Sequence, residues 1–270
     1  MDITYYEQSL SKQYRGSADA EERWDAKAQH FNQAQKGERT PFVVRVIESL
    51  EKRGALTGAS VLDIGGGSGR YAIPFASRAA HVTITDISAN MLSLAKKNAE
   101  EAGLGNLSYD KMEWEKADLE ALGWNEAFDL AFASMCPAIR SPQGLRNMIA
   151  SSRKACQINQ FIHDTDTLTQ HLEEALDLRR PFDPHNDRDS VQAIFNILWL
   201  QKYTPELTYI RQTEHLSLSV DEAWWQYSPR FGQAAQDNGV DLKTLIEEQA
   251  REGVVQVTGE TTLAMIHWNV

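Results

Sequence analysis

The stretch Val61-Leu62-Asp63-Ile64-Gly65-Gly66-Gly67-Ser68-Gly69-Arg70 decides the fold. An apolar run ends in an acid, then in a cluster of glycines. With Ala59 and Ser60 in front, residues 59–65 read as a buried parallel strand. Residues 70–80 read as the helix that follows. Glycines 65, 67 and 69 lack Cβ atoms, so the turn can pass tightly under a ligand and let the backbone touch it. In open α/β sheets such a turn sits at the carboxyl ends of the strands, where ligands bind.

Working outward, strands and helices alternate. Upstream, Thr40 and Pro41 read as an N-cap and a first helical residue, with Gly54 as the stop. Phe42, Val43, Val46, Ile47 and Leu50 form that helix's buried stripe. A short helix over 24–32 precedes it. Downstream, 81–86 is a second strand ending in Asp86, and Ser88 caps a helix over 89–101. Residues 107–109 give a weak third strand, 128–134 a fourth and 157–163 a fifth, with a helix from Ser141-Pro142 to about 154. This spacing implies βαβ units with right-handed crossovers. After a polar segment, 164–190, come a helix over 191–203 and a strand over 207–218. A capping box at Ser219–Glu222 opens the next helix, then a helix spans 241–251 and a last strand 254–268. The expected fold class is α/β: a doubly wound, mostly parallel seven-stranded sheet with helical insertions.

Composition sets outer limits. The chain has 270 residues, 42% hydrophobic and 24% charged, as in ordinary globular proteins. Its net charge of −11 argues against a nucleic-acid partner, because phosphate contacts need clustered Lys and Arg. Two cysteines, Cys136 and Cys156, cannot build a disulfide framework or a zinc knuckle. The first residues lack a signal-peptide pattern, and the apolar run 191–200 is too short to span a bilayer. A cytoplasmic protein with no membrane partner is expected.

The glycine cluster departs from two familiar phosphate-binding motifs. A dinucleotide fingerprint wants a third glycine where Arg70 stands, and a P-loop wants Lys then Ser or Thr after Gly69. Asp63, two residues before the first glycine, would repel a pyrophosphate. It suits a cationic ligand carrying an ammonium group.

Residues 63–69 (DIGGGSG), followed in order by Asp86, resemble the class I S-adenosylmethionine-dependent methyltransferases over roughly residues 40–163. The resemblance implies S-adenosyl-L-methionine as cofactor and S-adenosyl-L-homocysteine as product. Gly65 and Gly67 would lie against the methionine part, with Asp63 near its ammonium group. Asp86 would accept from both ribose hydroxyls, as one carboxylate can. Ile87 would pack on the adenine. Glu113 would accept from the adenine amino group, while the Trp114 backbone N–H reaches a ring nitrogen. Ser134 would lie beneath the methionine moiety.

The acceptor side is less marked. Met135, Cys136 and His163 follow the fourth strand or end the fifth, where an acceptor would lie. The Asn-Pro-Pro-Tyr or Asp-Pro-Pro-Tyr motif of amino-group methyltransferases is absent at Met135-Cys136-Pro137-Ala138. Cys136 reads first as a small pocket-lining residue. His163 reads either as a general base or as a histidine bonded to a loop carboxylate. His163, Asp164, Asp166, His171 and His185 lack the spacing of a specific metal motif, so no metal is expected.

The reading divides the chain into four parts. Residues 1–40 form a helical arm that covers the cofactor, with Tyr14, Trp24 and Phe31 closing over it. Residues 41–163 form the cofactor-binding core, 164–206 an inserted substrate cover, and 207–270 the last strands with a helical insertion. The expectation is a methyltransferase acting on a small molecule at oxygen, nitrogen or sulfur, with room for a homodimer. The alternatives are a non-catalytic cofactor-binding scaffold, a protein or ribosomal RNA methyltransferase, and a nicotinamide oxidoreductase.

Overall fold

The computed structural model describes residues 2–12, 19–35, 40–178 and 183–270. Tyr14 and Pro181 lie outside the described residues, as does the Thr40 side chain. The chain divides into two compact units. One comprises residues 1–160, 188–210 and 264–270; the other comprises 161–187 and 211–263.

The first unit is built on the strands β1 (Ser60–Ile64), β2 (His81–Asp86), β3 (Leu107–Lys111) and β4 (Phe128–Ser134). The long strands β5 (Ser152–Asp166), β6 (Glu206–Ser219) and β8 (Val254–Asn269) complete the sheet, and their residue ranges continue into the second unit. The order is β3-β2-β1-β4-β5-β8-β6, and a two-residue β7 (Ala250–Arg251) pairs antiparallel with β8. β3, β2, β1, β4 and β5 are parallel neighbours. Order reverses beside β1, which puts the β1 and β4 ends at the crevice where such sheets hold ligands. The seven-stranded path is the expected one.

Local chemistry explains these elements. Val61, Leu62 and Ile64 on β1 and Leu130, Ala131 and Phe132 on β4 are fully buried, as central parallel strands require. Each large apolar side chain so buried contributes about 1.5–3 kcal/mol. α3 (Thr40–Lys52) buries the stripe Phe42, Val43, Val46, Ile47 and Leu50. α5 (Ala89–Glu101) begins where the Ser88 side chain accepts from the Met91 N–H. α2 (Ala20–Gln35) runs further than the expected 24–32, and its Ala28 packs with Met91 and Leu94 of α5. α1 (Ile3–Ser11) and α9 (Arg188–Leu200) also belong to this unit.

Other elements differ from expectation. The helix after the glycine turn, α4 (Ala72–Ala76), is one turn long. Pro74 lies inside it and has no N–H to donate, which weakens propagation. α7 (Pro142–Ser151) ends three residues early and β5 starts five residues early, at Ser152. Arg153 and Lys154 there form ion pairs with Asp129 of β4 at 3.0 and 2.8 Å, drawing a polar segment into the sheet.

The second unit has its own core. Leu168, Leu172 and Leu176 recur every four residues along α8 (Thr167–Ala175) and just past its end. Ala223, Tyr227, Phe231 and Ala235 do the same along α10 (Val220–Asp237). They pack with Leu242 and Ile246 of α11 (Leu242–Glu247) and with Val255 and Val257 of β8. Asp166 caps α8 by accepting from the Thr169 N–H at 2.7 Å. The Ser219–Glu222 capping box opens α10, as read from the sequence. α6 (Leu119–Leu122), in the first unit, completes the helices.

Candidate functional site

β1 ends in Asp63 and Ile64, and the chain then turns through Gly65 with φ +65°. A Cβ on Gly65 would lie 2.5 Å from Cys136 Sγ. One on Gly66 would lie 2.7 Å from Asp63 Oδ2 and 2.8 Å from Ile84 Cγ2. The turn is therefore glycine because side chains from β1, β2 and the segment after β4 already press on it. Its backbone is tied down by Gly66 N–H to Thr85 O and by Gly69 N–H to Gly66 O, both at 3.0 Å.

Two carboxylates flank the turn. Asp86, at the end of β2, accepts from the Gly67 N–H at 3.0 Å and from the Ser88 N–H at 2.9 Å. It thus joins the glycine turn to the start of α5. Burial raises the Asp86 pKa above the usual carboxylate range, and the N–H groups of Ser88, Gly67 and Ile87 oppose that. Asp63 is 2% exposed, and its Oδ2 has no hydrogen-bond partner. Burial, then the charge of Asp86, pushes the Asp63 carboxyl up to about 7, against one backbone bond from Ala72. A buried acceptor left open beside a turn that a Cβ would block fits a ligand with a cationic donor.

α2 reaches this place through Asp25, which accepts from the Ser88 hydroxyl and from the Asn90 N–H. Hydrogen bonds at the N-terminus of α5 hold the Asp25 carboxyl below its usual range. Phe31 Cε1 lies 3.7 Å from where a Gly67 Cβ would be. Trp24 and Phe31 stack edge to face and pack against the cluster of Ala28, Met91 and Leu94.

The other residues singled out in the sequence fall as follows. Ile87 is half-buried directly after Asp86. Glu113 forms an ion pair with Lys116. Trp114 is buried; its Nε1–H donates to Gly144 O and its carbonyl accepts from Asn147 Nδ2, both at 2.9 Å. The indole therefore anchors α7, leaving the backbone as the part available for recognition. Ser134 ends β4, and Met135 follows in a left-handed conformation with φ +54°. That conformation is uncommon for a non-glycine residue, and the Met135 N–H holds it by donating to Asn159 O at 2.9 Å. Burial pushes the Cys136 thiol up to about 12, which suits a lining residue and not a thiolate nucleophile. His163 belongs to the second unit, where its Nε2 lies 3.6 Å from Glu260 Oε2. Among the described residues no group of three or more His, Cys, Asp or Glu is arranged to hold a metal ion.

Sequence reasoning missed Asp25, Tyr71 and Asn159. Tyr71 is buried with its ring against Phe132 and Phe75, at centroid distances of 5.0 and 5.9 Å. Its hydroxyl interacts with Ser134 and Asn159, so it ties the segment after the glycine turn to the end of β4 and the middle of β5. Its position directly after Arg70 was the available signal. Asp25 and Asn159 gave none.

Residues 61–159 match the family model described as "Methyltransferase domain". Over that segment, about a third of the chain, the protein is similar to methyltransferase domains. Uncharacterized proteins of Mycobacterium tuberculosis and Mycobacterium bovis are 35% identical to the chain over 83 residues. That match covers 30% of this chain and 28% of theirs, so the chain spans under a third of those relatives' length in alignment. Among solved structures, magnesium protoporphyrin IX methyltransferase of Synechocystis PCC 6803, with bound S-adenosylhomocysteine, superposes with a TM-score of 0.54 at 14% identity. It covers 93% of this chain and 98% of its own. A candidate methyltransferase of Bacillus halodurans gives 0.51 at 16% identity, over 82% of this chain and 97% of its own. At these identities the likeness is one of fold, and the segment matched by the family model runs from β1 into β5.

Proposed function

We propose that the protein is an S-adenosylmethionine-dependent methyltransferase acting on a small-molecule acceptor through oxygen, nitrogen or sulfur. One observation carries the reading: the open Asp63 carboxylate and Asp86 flank a turn whose Gly65 and Gly66 leave no room for a Cβ. A cofactor with an ammonium at one end and a ribose diol at the other answers both acids. In this reading Asp86 accepts from the ribose hydroxyls with the oxygen lone pairs its backbone N–H bonds leave over. Gly65 and Gly67 present backbone to the methionine chain, above Ser134. Ile87 packs on the adenine, while Glu113 and the Trp114 N–H address its edge.

When bound, the sulfonium supplies an already activated methyl group. What remains for the chain is alignment and, where the acceptor carries a proton, its removal. Met135 and Cys136 follow β4 directly and are assigned to the acceptor's side of the turn. The high thiol pKa leaves Cys136 neutral there. His163 is retained as the candidate proton acceptor on residue type. The net charge of −11 agrees with a cationic cofactor and speaks against nucleic acid as the acceptor. No helix among the described residues is long and apolar enough to cross a membrane. Both cysteines are free thiols, which supports a reducing, cytoplasmic setting.

Calorimetry with S-adenosylhomocysteine tests the reading. Saturable binding is expected, with no heat from NADH. Absence of binding by S-adenosylhomocysteine and S-adenosylmethionine at millimolar concentration overturns it. Where binding holds, S-adenosylhomocysteine formation from S-adenosylmethionine across a panel of small acceptors separates an enzyme from a non-catalytic binder.

A further inference from the structure

The glycine turn makes an electrostatic demand that the groups around Asp63 do not meet. Asp63 is 2% exposed at the end of β1, and its carboxylate lies so close to the turn that a Cβ on Gly66 would fall 2.7 Å from its Oδ2. One carboxylate oxygen is without a hydrogen bond, and the bond that favours ionisation comes from the Ala72 backbone. The charged and titratable groups near it can be named element by element. β2 brings Asp86, a like charge. The segment after the turn brings Arg70 and Tyr71, and the segment after β4 brings Cys136. One step further out, Asp25 of α2 acts on Asp86, again with like sign. Burial raises the Tyr71 and Cys136 pKa values, so both stay neutral at ordinary pH.

We propose that ligand binding at this turn is a proton-for-cation exchange, in which Asp63 carries a proton until a ligand's ammonium group takes the place against Oδ2 and the proton leaves to solvent. The proposal rests on the functional reading above and deepens it. The ammonium beside Asp63 is already part of that reading; what is added is the proton that leaves when it arrives. The balance is simple. The O–H bond of the Asp63 carboxyl breaks, its electron pair stays on oxygen, one proton passes to buffer, and the ammonium keeps its own protons. No oxidant or co-reactant enters. Burial that disfavours an isolated carboxylate favours one paired with a donor cation in the same low-dielectric place.

The experiment is calorimetric titration of S-adenosylhomocysteine into the full chain at pH 6 and pH 8.5, each in two buffers of different ionisation heat. With the Asp63 carboxyl at about 7, close to one proton is released at pH 6 and almost none at pH 8.5. Affinity falls roughly tenfold from pH 8 to pH 6 for the same reason. Methylthioadenosine, which keeps the nucleoside and thioether but lacks the ammonium, releases no proton at either pH. Asp63→Asn binds S-adenosylhomocysteine more weakly, with buffer-independent heat. Binding by the unaltered protein with the same heat in both buffers at pH 6 overturns the exchange and leaves the functional reading intact. Equal proton release with methylthioadenosine, or release that persists in a folded Asp63→Asn, also overturns it. Failure of S-adenosylhomocysteine to bind at either pH sinks the functional reading itself.

Discussion

Replacing Gly66 by alanine tests whether the turn is glycine for steric reasons or for backbone freedom. Gly66 is absent from the residues with positive φ, so alanine meets no backbone penalty there. Its new Cβ would lie 2.7 Å from Asp63 Oδ2, 2.9 Å from Asp63 Cγ and 2.8 Å from Ile84 Cγ2. Neither neighbour can yield cheaply. Ile84 is fully buried and its Cγ2 hangs directly from Cβ, while Asp63 is short and 2% exposed. Overpacking of this kind destabilises by about 1–3 kcal/mol. In a chain of this size that lowers Tm by roughly 2–12 °C. Since Asp63 must move, S-adenosylhomocysteine affinity should fall at least tenfold. Gly103→Ala is the matched control: its φ is +68° and a Cβ there meets nothing within 4 Å. It carries only the left-handed penalty of about 1–2 kcal/mol and should bind normally. Differential scanning fluorimetry and calorimetry read both effects. A Gly66→Ala protein that melts and binds like the unaltered one refutes the packing argument, and so does equal loss of binding in both variants.

Asp86→Ala removes the acceptor for the Gly67 and Ser88 N–H groups along with the proposed ribose contact. Losing charged hydrogen bonds on this scale, about 1–3 kcal/mol, weakens S-adenosylhomocysteine roughly 5- to 150-fold, and unchanged affinity by calorimetry would contradict the ribose assignment. His267 is 6% exposed and its pKa is depressed to about 4, by burial first and by the Arg53 charge second. A depressed histidine contributes stability above the unfolded value near 6.5 and loses it as pH falls through 4, for a total of at most about 3 kcal/mol. The stability of the unaltered protein relative to His267→Phe should therefore decline between pH 7 and pH 4 in urea melts; a constant difference speaks against a buried neutral imidazole. Cys136, with its thiol at about 12, should react with a disulfide reagent at pH 8 at least tenfold slower than a free cysteine peptide, and an equal rate means the thiol is not buried as described.

Much of the first unit could be read from local signals. β2, α5 and β4 run over the residues expected, because a continuous apolar run and a serine cap are complete within their own segments. The start of β5 was hidden because Ser152, Arg153 and Lys154 look like a helix end until Asp129 is placed beside them. The polar segment after His163 read as an irregular cover, yet α8 starts at Thr167 behind its Asp166 cap. Asp166 stood in plain view, but Asp164 two residues earlier offered a second candidate cap. At the site the same division holds. Asp63, Asp86 and the glycines sit in one short span with its own pattern. Asp25 meets Ser88 across 63 residues, and Asn159 meets Met135 through a backbone bond between strands, so neither contact leaves a spacing to detect.

The places where this chain departs from ordinary folding rules converge on the ends of β1 and β4. A buried carboxylate with one oxygen unbonded, two glycines with no room for a Cβ and a left-handed methionine all occur there. Asp63 alone shows that stability does not explain the arrangement. Its folded pKa is raised, so the protein keeps its full stability only below the unfolded value of 3.8, and loses about 4 kcal/mol as pH rises through 7. Asparagine would fill the same space without that loss. A residue that burdens the unliganded fold at neutral pH is accounted for by a gain on binding, and the gain requires a positive charge that comes with the ligand. On the proposed function, the same carboxylate that weakens the free protein strengthens the complex. Reading the acid in the first motif as a demand for a cation consequently explains more than reading it as a marker of the family.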